Sequence, residues 1–134
     1  MKRLHIHCPY CRAPAVRRYG RDLFGDAAVE PDAVYYVCAR YPKCNAYVKA
    51  HKKSGLPMGT LADPALRRKR IQAHAAFDRL WKEGPLTKKQ AYRWLQSALG
   101  LPEEQAHIAR FSHYQCDRII FMCSRFGQPK RPVA

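Results

Sequence analysis

The chain has no apolar run near the 18 residues that a membrane-spanning helix needs, so no membrane partner is expected. Carboxylates are scarce: ten Asp and Glu stand against 25 Lys and Arg, a net charge of +15. With so few acids, a two-magnesium nuclease centre is hard to assemble. The sequence also lacks a glycine-rich phosphate loop and a serine-nucleophile motif. These absences lead us to expect a protein that is not an enzyme. The opening Met1-Lys-Arg-Leu-His-Ile-His-Cys8 has positive charge but no apolar stretch of signal-peptide length. We therefore expect a reducing, cytoplasmic setting, where paired cysteines serve as metal ligands more often than as disulfides.

Of the six cysteines, four fall in two close pairs, Cys8-Pro-Tyr-Cys11 and Cys38-Ala-Arg-Tyr-Pro-Lys-Cys44, separated by 26 residues. A tetrahedral zinc ion needs this arrangement from a short polypeptide: two tight knuckles, each presenting two thiolates, and a spacer long enough to bring them face to face. Redox catalysis by Cys8 and Cys11 alone is weakened by the second pair and by the missing βαβ context; it and an iron–sulfur centre are the lesser alternatives to zinc. One structural Zn2+ held by Cys8, Cys11, Cys38 and Cys44 is the expectation. The nearby His5 and His7 are not needed as ligands. His107, His113, Cys116 and Cys123 raise the question of a second metal, but Cys116 and Cys123 share a helical stripe with Ile119, which suits small buried thiols.

The positive charge is spread along the chain, with eleven Lys and Arg against four acids in residues 1–60 and fourteen against six in residues 61–134. Such a field attracts polyanions, which makes nucleic acid the leading partner. A basic face docked on an acidic protein, for instance as an inhibitor of a host factor that processes nucleic acid, shares the same composition.

The pattern predicts an α+β fold: a four-cysteine zinc ribbon of three short antiparallel strands, then a three-helix module. Ala15–Tyr19, Val34–Cys38 and Asn45–Ala50 are rich in β-branched or aromatic residues, and Gly20 to Asp32 reads as a loop. Residues 1–50 form the ribbon, 51–61 a linker, 62–127 the helical module and 128–134 a basic tail. Asp63 and Pro64 begin a helix that runs to about Lys82. Thr87-Lys-Lys-Gln90 and Ser112-His-Tyr-Gln115 are capping boxes, with Gly100 and Gly127 as stops. Pro102 to His107 predicts a short helical turn.

The Tyr41-Pro42 pair inside the second knuckle, a Cys-Pro-x-Cys first knuckle and a strand ending in Tyr-Val-Cys resemble the C-terminal zinc ribbons of type IA DNA topoisomerases over residues 8–48. Those ribbons usually carry Gly where this chain has Arg12, and their shorter spacer leaves Gly20–Asp32 outside the resemblance. A wider match uses Ala46-Tyr-Val, Gly59-Thr-Leu-Ala-Asp63, Ala73-His-Ala-Ala-Phe-Asp78 with Leu80-Trp-Lys82, Ala91-Tyr-Arg-Trp-Leu95 and His107-Ile. These residues resemble a family of small phage and bacterial zinc-finger-containing proteins. The resemblances imply a zinc ribbon that holds single-stranded DNA and a phage or prophage setting, with no reaction attached.

Cations that track phosphates and rings that stack on bases suit a single strand. The expected contacts are Arg12, Arg17, Arg18, Tyr36, Arg40, Tyr41, Lys43, Lys49, Lys52 and Lys53, followed by Arg67, Arg68 and Arg70 of the densest charge run. Alternation along the strand puts Tyr35 and Tyr36 on opposite faces, one in the core and one exposed. Arg70 lies four residues after Leu66, inside the apolar stripe, and so must reach out of the core or find a partner there. His74 and Asp78, also four apart, suit a helix-surface hydrogen bond better than a general-base pair.

Overall fold

A computed structural model describes residues 5–126. It is an α+β structure with strands β1 (Ala15–Tyr19), β2 (Val34–Cys38) and β3 (Tyr47–Lys49). A five-residue helix α1 (Gly20–Phe24) follows β1, and α2 (Pro64–Lys82), α3 (Lys88–Leu99) and α4 (His113–Arg125) come later. The chain divides into two compact units, Met1–Arg67 and Arg68–Ala134, with the division falling inside α2.

In the first unit the sheet order is β1-β2-β3, antiparallel throughout. The register sets Arg17 opposite Tyr36 and Tyr36 opposite Val48, so these three share a face with Ala15 and Cys38. That face packs on Cys8, Ala13, Ala46, Ala50 and Leu61. The other face carries Val37, Tyr35 and Tyr47. There Phe24, Tyr35, Tyr41 and Tyr47, all half-buried, meet edge-on with ring centres 5.6–6.3 Å apart, the geometry that ring quadrupoles favour.

Two stretches depart from the sequence reading. Gly20 to Asp32 is not simply a loop: Asp22 Oδ2 accepts the Tyr19 amide and starts α1, and a 3-10 turn follows at Gly25–Ala27. The segment closes where the Gly20 amide bonds to the Ala33 carbonyl. A Cβ at position 20 would lie 2.3 Å from the Glu30 oxygen, so only glycine fits there. Residues 51–61 are not a free linker either. The Met58 amide bonds to Lys49 and the Ala62 amide to Tyr47, while Leu61 and Ala62 are 1% exposed. This segment folds onto β3, whose pairing with β2 is shorter than the Asn45–Ala50 strand expected.

In the second unit the apolar stripes of the three long helices converge. Ala73, Phe77 and Leu80 of α2, Ala91 and Leu95 of α3, and Cys116 and Ile119 of α4 form one core, completed by Ala106, Ile108 and Phe111. Both capping boxes form: Thr87 and Ser112 accept the amides of Gln90 and Gln115, whose side chains bond back. Gly100 takes the left-handed conformation that ends α3, and Pro102–His107 contains a 3-10 turn at Glu103–Gln105. The expected stop at Gly127 and the tail 128–134 lie outside the described residues.

Candidate metal centre and basic surface

Cys8 and Cys11 sit on a turn between His7 and Pro14, which bridge as an isolated pair. The Cys8 amide bonds to the Ala13 carbonyl and the Arg12 amide to the Cys8 carbonyl, which curls the turn so that both thiols face inward. Cys38 ends β2, and Cys44 follows a second turn in which the Arg40 amide points at Cys38 Sγ, 3.5 Å away, and the Tyr41–Pro42 peptide is cis. All four sulfurs lie within 4.8 Å of one another, with Cys8–Cys44 at 3.6 Å and Cys11–Cys38 at 3.4 Å. Thiolates at Zn–S ≈ 2.3 Å on the corners of a tetrahedron are about 3.8 Å apart. The donor set and its spacing fit one Zn2+ in a closed, structural site.

The thiols' own tendencies show what the metal must do. The Ala13 backbone hydrogen bond is the main cause holding the Cys11 thiol down, to about 7. Desolvation pushes Cys38 and Cys44 up. Burial thus favours the protonated form at Cys38 and Cys44, and a divalent cation reverses that preference outright. Once bound, four thiolates around Zn2+ carry a net charge of about −2, so the centre does not itself attract phosphate. Arg12, Arg40 and Lys43, all exposed on the two turns, more than offset it.

Arg12 has a φ of 67°, in the left-handed region that favours glycine. An L residue there costs about 1–2 kcal/mol, against roughly 0.5–1 kcal/mol of extra backbone entropy for glycine. Arg12→Gly is therefore expected to stabilise the zinc-loaded chain by up to about 1 kcal/mol in denaturant unfolding, and Arg12→Val to destabilise it by a similar amount. Destabilisation by Arg12→Gly would show that the arginine side chain contributes more than its backbone costs.

Among the described residues the four cysteines are the only cluster suited to a metal. His5 and His7 are exposed outside it. Cys116 is fully buried and Cys123 half-buried in the helical core; burial pushes both thiols up, Cys123 to about 11. His74 Nδ1 lies 3.0 Å from Asp78 Oδ2, and Asp78 also accepts Trp81 Nε1 at 3.2 Å. This is the helix-surface hydrogen bond expected.

The other expected contact residues fall into three groups. Arg17, Lys49 and Lys52 line a groove of about 360 Å3 with Glu30, His51 and Gly55. Lys49 is held by Glu30, whose carboxyl this bond keeps below its usual range. Lys53 and Arg68 are exposed, while Arg18 and Tyr41 are half-exposed on the sheet's aromatic face and the second turn. The third group corrects the sequence reading. Tyr36 is the core partner of the tyrosine pair, 5% exposed, with its hydroxyl donating to the Gly55 carbonyl at 2.5 Å. It cannot offer a ring to a base. Arg67 donates to the Asn45 and Ala62 carbonyls and to Asn45 Oδ1, with its guanidinium 3.9 Å from the Tyr47 ring centre. It therefore ties the first turn of α2 to the sheet. Arg70 is 9% exposed and donates from Nε to the Phe111 carbonyl at 3.0 Å. Composition could not separate these three from their solvated neighbours; only the spacing of Arg70 after Leu66 marked it.

No helix among the described residues is long and apolar enough to cross a membrane. Residues 4–126 match the model of a family described as a zinc-finger-containing domain. No curated protein matches, and no solved structure does.

Proposed function

Because the chain belongs to this family of zinc-finger-containing domains, we propose that its zinc-held unit binds nucleic acid, with single-stranded DNA preferred, and catalyses no reaction. The observation that carries this reading is the surface of the metal centre. Arg12, Arg40 and Lys43 stand exposed on the two zinc turns, without an ion pair among the described residues. Tyr41 lies between the last two and is half-exposed. Metal-fixed turns hold these cations in place before a ligand arrives, which lowers the ordering cost of binding. Arg17, Lys52 and Lys53 add charge that is not consumed in neutralising the zinc thiolates. A single strand suits them better than a duplex, because its bases are free to meet Tyr41. In the reducing, cytoplasmic setting that belongs to this proposal, the four cysteines persist as zinc ligands rather than as disulfides.

The test is a titration of labelled single strands and duplexes at several salt concentrations. If about five of these cations contact phosphates, log affinity for a single strand falls against log salt with a slope of about −3 to −4. Absence of binding to any nucleic acid at low salt would refute the proposal.

A further inference from the structure

Helix α4 has two dissimilar faces. Cys116 and Ile119 are fully buried in the core, with Ile120 and Cys123 packed against it. On the opposite side Tyr114, Arg118, Phe121 and Arg125 follow one another at intervals of four, three and four residues. At roughly 100° per residue they keep to one stripe about 60° wide. All four are exposed, Tyr114 at 68% and Phe121 at 57%. Each arginine folds back toward the ring before it: the Arg118 guanidinium lies 5.9 Å from the Tyr114 ring centre, and that of Arg125 lies 4.6 Å from the Phe121 ring centre. Burial, the ordinary reason for large aromatics on a helix, does not account for these two rings.

We infer that this stripe is a further nucleic-acid contact surface, taking unstacked bases of a single strand on Tyr114 and Phe121 and its phosphates on Arg118 and Arg125. The inference rests on the nucleic-acid reading above and gives the helical unit a part in it. The rings stand about 10 Å apart along the helix axis, too far for one base to span, so each takes its own. A duplex keeps its base faces stacked inside and could use only the arginines. Charge selects this occupant over a second copy of the chain. The one acidic residue of α4 is Asp117, and it is bound to Lys69. Two such stripes face to face would oppose arginine to arginine with no carboxylate between them, whereas a polyanion with exposed π-faces complements both components.

The experiment is fluorescence anisotropy of the zinc-loaded, full-length chain with a labelled oligothymidylate. Tyr114→Ala/Phe121→Ala is expected to weaken binding about thirtyfold or more, since base–aromatic stacking is worth roughly 1–3 kcal/mol per base and two bases lose it. Arg118→Gln/Arg125→Gln is expected to flatten the salt slope by about 1.4, at roughly 0.7 per phosphate on a single strand. Phe121→Trp retains a stacking ring and is expected to report the base directly, by quenching of its indole beyond that of Trp81 and Trp94 in the parent chain. Unchanged affinity in the alanine variant overturns the stripe and leaves the ribbon reading standing, whereas a parent chain that binds no oligonucleotide at low salt overturns both. If the alanine variant does not fold, a Phe121→Trp chain that at saturation shows no quenching beyond the parent's overturns the stripe. A dimer that the alanine variant breaks, with oligonucleotide affinity intact, reassigns the stripe to a second copy.

Discussion

Cys38→Ser is expected to abolish zinc binding and to unfold the three-stranded sheet. Cys38 is 1% exposed, ends β2, lies in register with Ala15 and holds its sulfur 3.4 Å from that of Cys11. It is thus a ligand and a core residue at once. Structural zinc contributes about 10–16 kcal/mol of apparent binding free energy at neutral pH, as large as a whole small domain's margin of about 5–15 kcal/mol. The first unit has little with which to replace it. Around the cysteines its core consists of Ala13, Ala46, Ala50, Val48, Leu61 and Tyr36, a set dominated by methyl groups. A metal staple is the usual answer to so small an apolar core. Metal analysis should find one zinc per parent chain and none in the variant. Hydrogen exchange should show the amides of β2 losing protection while those of α3 and α4, in a unit with its own core, keep theirs. Lowering the pH should reproduce the loss, because protons compete with zinc for the thiolates. A variant that retains zinc and the sheet would refute the assignment, and two zinc ions per parent chain would reopen the roles of Cys116 and Cys123.

What the sequence discloses is the chemistry with short range. Ala15–Tyr19 and Val34–Cys38 are readable as strands because their β-branched and aromatic residues leave few alternatives. The two capping boxes are readable because each closes within four residues. The cysteine quartet is readable because metal ligation tolerates only certain spacings. For Tyr36 and the 51–61 segment the deciding partner lies far along the chain, and there the reading fails. Tyr36 is buried because its hydroxyl finds the Gly55 carbonyl, and nothing near Tyr36 announces that. The 51–61 segment contains glycine, proline and lysines and so resembles a linker; its order comes from β3 and from Leu61 in the core. The turn α1 hides inside a glycine- and acid-rich loop because a single carboxylate, Asp22, starts it. The α4 stripe is a different case. Its four-three-four spacing is plain in the sequence, but attention to the buried face of an amphipathic helix passes over periodicity on the exposed one.

The charge run Arg67-Arg68-Lys69-Arg70 shows how far a basic composition can mislead about contacts, and Arg70→Ala should separate the two possibilities. A phosphate contact would be exposed; Arg70 is 9% exposed, and its Nε–H donates to the carbonyl of Phe111, itself fully buried. Phe111 directly precedes Ser112, the N-cap of α4, so the guanidinium fixes the backbone from which α4 departs. Arg70→Ala removes a charge-assisted hydrogen bond worth about 1.5–3 kcal/mol and leaves a void where the side chain was packed. The expected result is a loss of about 2–4 kcal/mol in denaturant unfolding of the helical unit, with the salt slope of nucleic-acid binding unchanged. Arg68→Ala is expected to do the reverse. Arg68 is exposed, so its loss leaves stability within about 0.5 kcal/mol of the parent and flattens the slope by about 0.7 if it meets a phosphate. Arg70→Lys keeps the charge but not the guanidinium geometry, and should recover only part of the stability. Parental stability in Arg70→Ala, together with a flattened slope, would return Arg70 to the binding surface and would mean that its hydrogen bond to Phe111 contributes nothing to the fold.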